Sequence, residues 1–184
     1  MFIQPKDTGW IEVVCGPMFS GKTEELIRRI RRASYAKMHV QVFKPRIDDR
    51  YDAEAVVSHN QDKLPGIPVA DVAEMRAKLD PHVEVVGIDE LQFFDPSVVD
   101  FCDELADKGC RVVVAGLDLD YLGQPFGPIP RLLCVAEFVT KLLSICVRCG
   151  NPAHYSYRIS TDPQQVLVGS TQQYEAVCRR CYRA

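Results

Sequence analysis

The sequence predicts an α/β protein in which a doubly wound parallel sheet carries a small β-rich unit at its carboxyl end. Two observations carry that prediction. From Ile11 to about Lys141, short apolar runs, several rich in β-branched residues, alternate with helical stretches; strands separated by helices become parallel neighbours in one sheet. After Cys146 this gives way to two paired-cysteine knuckles, a Tyr-Ser-Tyr-Arg-Ile-Ser run and a Thr-Asp-Pro turn. The expected division is residues 1–143 for the α/β domain and 144–184 for the appended unit.

Strands are expected over residues 11–15, 40–43, 83–88, 112–117 and 138–142. A helix is expected over residues 23–38, because Leu26, Ile27, Ile30, Ala33 and Ser34 share one side. Arg28, Arg29, Arg31 and Arg32 lie largely on the other, which reads as a solvated face. Asp95-Pro96 places an N-cap before a proline at the first helical position, opening a helix to about Lys108 that Gly109 ends. Residues 44–68 and 118–130 are rich in Pro, Gly and Asp and read as long irregular loops of the kind that carry function.

A chain of 184 residues is long enough to bury about 70% of its unfolded surface without covalent staples. With 47% hydrophobic and 26% charged residues it is neither disordered, collagen-like nor a coiled coil. A net charge of −3 and a pI near 5.8 argue against holding nucleic acid by phosphate neutralisation and favour a small-molecule partner. The amino terminus lacks a charged stretch followed by an apolar one, and no run of eighteen apolar residues occurs. The expectation is a cytoplasmic chain with no membrane partner.

Gly16-Pro17-Met18-Phe19-Ser20-Gly21-Lys22-Thr23 satisfies G-x-x-x-x-G-K-[ST] between an expected strand and an expected helix, the context this phosphate-binding motif requires. The glycines let backbone N–H groups surround phosphate oxygens. Lys22 reaches the β and γ phosphates, and Thr23 offers a hydroxyl to Mg2+. Residues 1–143 are therefore expected to form a P-loop NTPase-like nucleotide-binding domain using ATP. The run that ends at Ile88 is followed by Asp89 and Glu90. At the carboxyl end of a parallel strand Asp89 would face the P-loop and hold Mg2+, directly or through water, leaving Glu90 to deprotonate an attacking hydroxyl, to position a water or only to cap the next turn.

Cys146, Cys149, Cys178 and Cys181 form two C-x-x-C knuckles suited to a closed, structural tetrahedral Zn2+ site. The alternatives are unrelated thiols or redox pairs. Arg148, Arg179 and Arg180 beside the knuckles read as solvated side chains. Cys15, Cys102, Cys110 and Cys134 lie among apolar residues and read as core thiols. His39, His59, His82 and His154 show no ligand spacing.

These motifs, together with Lys44-Pro45, Asp48-Asp49-Arg50-Tyr51, Ile88-Asp-Glu-Leu-Gln-Phe-Phe94, Gly116-Leu-Asp-Leu-Asp-Tyr121, Pro125-Phe-Gly127 and the knuckles around Tyr174, resemble the zinc-containing type II, or cytosolic-type, thymidine kinases over nearly the whole chain. The resemblance implies transfer of the γ-phosphoryl group of ATP to the 5'-hydroxyl of thymidine. It implies Glu90 as general base, Lys22, Thr23 and Asp89 on the phosphates and Mg2+, and Gln92 on the cofactor side. Asp48 and Arg50 match positions near the sugar and phosphates, Arg50 stabilising charge in transfer. Met18, Leu117, Tyr121 and Phe126 would surround the base, and the zinc unit, the family's lasso, would hold it through Gln165, Val166, Leu167, Val168, Gly169 and Tyr174. Tyr121 stands where many members carry Phe, so its hydroxyl needs a partner or solvent. A homotetramer and feedback inhibition by dTTP are further implications. The competing reading is a P-loop ATPase or switch whose zinc knuckle binds nucleic acid or a protein partner. No Asn-Lys-x-Asp follows a strand, which counts against a GTPase switch.

Overall fold

A computed structural model describes residues 8–47, 55–57, 63–159 and 173–184. The chain enters through β1 (Trp10–Cys15), α1 (Lys22–Tyr35) and β2 (Val40–Pro45). Then come β3 (Ala55–Val57), β4 (Lys63–Pro65), β5 (Ile67–Val69), α2 (Val72–Lys78) and β6 (Val85–Ile88). The domain closes with α3 (Ser97–Asp107), β7 (Arg111–Gly116), α4 (Ile129–Val135) and β8 (Phe138–Lys141). Six strands form one parallel sheet in the order β5-β2-β6-β7-β1-β8.

Alternation along the strands builds two cores. Ile11, Val13, Phe43, Val86, Ile88, Val112 and Val114 face α2, α3 and α4 through Met75, Phe101, Leu105 and Leu132. Val42, Val85, Val113 and Ala115 face the opposite side and meet Leu26, Ile27, Ile30 and Ala33 of α1. A sheet buried on both faces explains why its strands read as near-continuous apolar runs.

Helix α1 stops three residues before the periodicity suggests. Lys37 takes a left-handed backbone, φ +61, while the Met38 N–H donates to the Ala33 carbonyl and the Lys37 N–H to that of Ser34. This is a Schellman ending, and Met38 is its apolar contact rather than a helical residue. Helix α3 ends the same way at Gly109, φ +89, with Cys110 N–H on the Leu105 carbonyl. It begins at Ser97, whose N–H is accepted by the Asp95 carboxylate.

Residues 44–68 are not a single irregular loop. β2 continues to Pro45, β3 and β4 pair antiparallel, and β5 extends the sheet beside β2. Helices α2 and α4 have no counterpart among the expected helices. Cys15, Cys102 and Cys110 are buried, but Cys134 is exposed, because α4 turns that position outward with its thiol on the Pro130 carbonyl. Arg29 is not part of a solvated face: it leaves the helix surface to pair with Glu12 and to donate to Thr140, and Arg111 pairs with Glu12 from the next strand.

The carboxyl-terminal region pairs β9 (Ser144–Ile145) with β10 (Pro152–Ala153) and β11 (Tyr155–Arg158) with β12 (Tyr174–Val177), and ends in α5 (Arg179–Arg183). Its own small core is Cys146, Ala153, Tyr155, Ala176, Val177 and Cys178. Among the described residues no helix is long and apolar enough to cross a membrane.

Candidate functional site

Parallel strands deliver their carboxyl ends to one rim, where open α/β sheets bind ligands. β1 runs straight into the glycine-rich loop and α1 opens at its lysine. A Cβ on Gly16 would lie 2.4 Å from the Leu142 carbonyl oxygen, so only glycine lets the loop leave the strand here. The Ser20 hydroxyl and the buried Lys22 ammonium both donate to the Pro17 carbonyl, at 2.8 and 2.7 Å. The Thr23 hydroxyl lies 3.2 and 3.3 Å from the two carboxylate oxygens of Asp89. A hydroxyl and a carboxylate at this spacing are the hard oxygen donors that suit Mg2+.

Asp89 is fixed by its N–H on the Phe43 carbonyl, 3.0 Å. Glu90 follows in a left-handed conformation, φ +48 and ψ +41, a strained backbone for a non-glycine residue that its surroundings must hold. Gln92 does much of the holding. Its amide nitrogen donates to the Glu90 carboxylate at 2.5 Å, and its amide oxygen accepts from the Leu117 N–H at 2.9 Å. A side chain on Gly116 would meet that oxygen at 2.8 Å, and one on Gly127 would meet the Gln92 carbonyl at 2.4 Å. Both glycines therefore admit Gln92. Next along, buried Asp118 pairs with Lys141 at 2.6 Å, while its Oδ1 has no hydrogen-bond partner among the described residues.

The expected base-binding residues are joined by two polar side chains that the sequence reading passed over. Ser156 and Arg158 share one face of β11, two residues apart. The Ser156 hydroxyl accepts from the Met18 N–H at 3.0 Å. Buried Arg158 stacks its guanidinium 3.8 Å from the centre of the Tyr121 ring and donates to the Tyr174 hydroxyl at 2.6 and 3.1 Å. Tyr182 donates to the Tyr121 carbonyl at 2.9 Å and stacks on Tyr155. Phe126 packs edge-on against Phe93, and its N–H donates to the Asp118 carbonyl. Met18, Tyr121 and Tyr174 thus converge on β11, with Leu117 tied to the Glu90 side by Gln92. Asp48, Arg50, Gln165, Val166, Leu167, Val168 and Gly169 lie outside the described residues. Ser156 and Arg158 at alternate positions of the expected Tyr-Ser-Tyr-Arg strand put two polar side chains on one face, which was the available signal for the two missed residues.

The four knuckle cysteines bring their sulfurs within 4.8 Å of one another. Tetrahedral Zn–S bonds of about 2.3 Å put sulfur edges near 3.8 Å, so the donor set fits zinc. Burial opposes the charged form of Cys146, yet hydrogen bonds from the Cys178 and Arg148 backbones and the Cys149 thiol bring it down to about 6. The Asn151 backbone draws Cys149 down, and Cys149 with the other sulfurs pushes Cys181 up to about 12. Arg148 is not simply solvated. It ties the knuckles together through Glu175 and the Cys181 carbonyl, each at 3.0 Å.

Residues 9–182 match the family described as thymidine kinase. The chain belongs to the thymidine kinase family. A curated thymidine kinase from Rhodothermus sp. (strain ITI 518) is 54% identical over 175 residues, covering 95% of this chain and 82% of that protein. Domain III of the Thermotoga maritima replication initiation protein DnaA overlays with a TM-score of 0.45 at 16% identity, covering 72% of this chain and 54% of that one; so loose a likeness adds nothing to the argument. Family membership makes the activity an ATP-dependent phosphotransfer to thymidine, and the reading as an ATPase with a nucleic-acid or protein-binding knuckle is not favoured.

Proposed function

We propose that this thymidine kinase forms dTMP with Glu90 as general base. The observation that carries the reading is the adjacency of Thr23, Asp89 and Glu90 at one rim, with Thr23 and Asp89 3.2 Å apart and the Glu90 carboxylate oriented by Gln92. The 5'-hydroxyl oxygen attacks the γ-phosphorus, its proton passes to Glu90, and the bond to the bridging oxygen breaks to release ADP. Thr23 and Asp89 would hold Mg2+, which when bound neutralises charge on the phosphate oxygens. Lys22 exchanges the Pro17 carbonyl for phosphate oxygens, joined by the N–H groups of residues 16–23. Gln92 acts through Glu90, positioning it.

Thymidine is held by Met18, Leu117, Tyr121, Phe126 and Tyr174, with Asp48, Arg50 and the Gln165-to-Gly169 segment assigned by resemblance to the sugar, the transferring phosphate and the base. Residues 1–143 act as the nucleotide-binding domain and 144–184 as a lasso whose thiols carry structural Zn2+. Closing it over the nucleoside excludes the water that would otherwise take the phosphoryl group. Resemblance supports a cytoplasmic homotetramer restrained by dTTP. The test is ADP release over a panel of nucleosides and nucleic acids. Thymidine-dependent release that falls roughly 10²-fold or more in Glu90→Gln, with both substrates still bound, is the expected result. Near-normal turnover in that variant removes Glu90 from the role, and release stimulated by nucleic acid instead would replace the kinase reading.

A further inference from the structure

The cysteine-bearing unit holds the phosphate loop as well as facing the nucleoside side. Two hydrogen bonds make the grip. The Ser144 hydroxyl of β9 donates to the Phe19 carbonyl at 3.1 Å, and the Met18 N–H donates to Ser156 of β11. The third element is the Phe19 side chain, which packs on the unit's small core, two of whose members, Cys146 and Cys178, belong to the tetrad.

Phe19 also carries a left-handed backbone, φ +62. An aromatic residue holds that conformation only where its surroundings over-determine it, and the small core that contains two tetrad cysteines is part of those surroundings. Phe19 stands between Pro17, whose carbonyl receives Lys22, and the helix start that aims backbone N–H groups at phosphate. The six buried residues of this core among the described residues make a small unit, of the kind that a metal stabilises.

We propose that Phe19 is a positioning residue that couples metal in the cysteine tetrad to the phosphate loop, so that zinc and ATP each strengthen the binding of the other. The inference rests on the reading of the tetrad as a zinc site. Coupling of equilibrium affinities is reciprocal, which allows a test without turnover. Zinc affinity is measured by competition against a chelator of known affinity, with and without the magnesium complex of a non-hydrolysable ATP analogue.

The wild-type chain should bind zinc about tenfold more tightly with the analogue present. Phe19→Ala should shrink that ratio below twofold, whatever happens to the affinity for each ligand alone, and Phe19→Leu, which keeps an apolar contact, should restore most of it. A residue that merely supports folding would weaken both ligands and leave the ratio intact. Ser144→Ala, a milder cut of the same link, should lower the ratio in part and serves if Phe19→Ala does not fold. A wild-type ratio below twofold, or a full ratio in Phe19→Ala, overturns the coupling while leaving the zinc reading standing. A tetrad that takes up no zinc overturns both.

Discussion

Replacing Gln92 with methionine tests whether this buried amide positions the base or touches the cofactor. The substitution keeps the length of the side chain and removes both hydrogen bonds, to the Glu90 carboxylate and from the Leu117 N–H. A bond to a charged group contributes about 1.5–3 kcal/mol, and an N–H left without a partner costs about 1 kcal/mol or more. The sum, about 3 kcal/mol, lowers Tm by roughly 6–12 °C for a chain of this size. Glu90 then loses the contact that holds its carboxylate in a left-handed turn. A positioned base contributes roughly 10²–10⁴ in rate, so partial loss of position should lower kcat by about tenfold. KM for ATP should stay within about twofold, because both ends of the amide already engage the protein. Thermal melts and steady-state kinetics on both substrates are the assay. A tenfold rise in KM for ATP with kcat retained would show instead that Gln92 binds the cofactor. Unchanged Tm and unchanged kcat would refute the bridge altogether.

Lys22→Ala should lose both ATP affinity and turnover if, as proposed, the ammonium acts on the phosphates in ground and transition states alike; ATP titration by calorimetry beside kcat checks it. Tyr174→Phe removes the hydroxyl that Arg158 grips and should raise KM for thymidine about tenfold, the equivalent of about 1.4 kcal/mol, with KM for ATP nearly unchanged; equal rises in both would place Tyr174 elsewhere. Glu25 is drawn down to about 2, first by hydrogen bonds from Arg28 and then, against the opposing effect of burial, by Arg29. A depressed carboxyl contributes stability that is complete above about pH 4.5 and is lost as pH falls through 2. The difference in urea midpoint between wild type and Glu25→Gln should therefore be largest at pH 7 and shrink at pH 3, and a pH-independent difference would contradict the pairing.

What the sequence made legible is what the backbone encodes locally. The glycine-rich loop, the Asp89-Glu90 pair after an apolar strand and the two knuckles are each written in a few consecutive residues, and the structure brings Thr23 to Asp89 across 66 positions because parallel strands end at one rim. The overshoot of α1 has the same local origin. A Schellman ending usually announces itself by glycine, and here Lys37 fills the left-handed position, so periodicity ran on to Met38. Helix α2 did carry a signal, since Asp71 caps the Glu74 N–H and Glu74 returns to the Ala70 N–H, but seven residues are too few for periodicity to speak. The strands β3, β4 and β5 are three residues each and equally silent.

What escaped are the partners that arrive from far along the chain. Ser156 meets Met18 across 138 positions and Gln92 meets Leu117 across 25, distances over which spacing says nothing. Arg29 shows the same limit from the other side, for within its helix it is one arginine among four, and only the sheet beneath supplies Glu12 and Thr140. Local motifs name the groups that carry the chemistry; the tertiary contacts decide how firmly each is held. Glu90 illustrates the division: adjacency to Asp89 marks it as a carboxylate available for base work, but its strained turn is intelligible only once Gln92, Gly116 and Gly127 are seen together. A substitution at Gly127 would therefore act on Glu90 from 37 positions away, by displacing the Gln92 backbone.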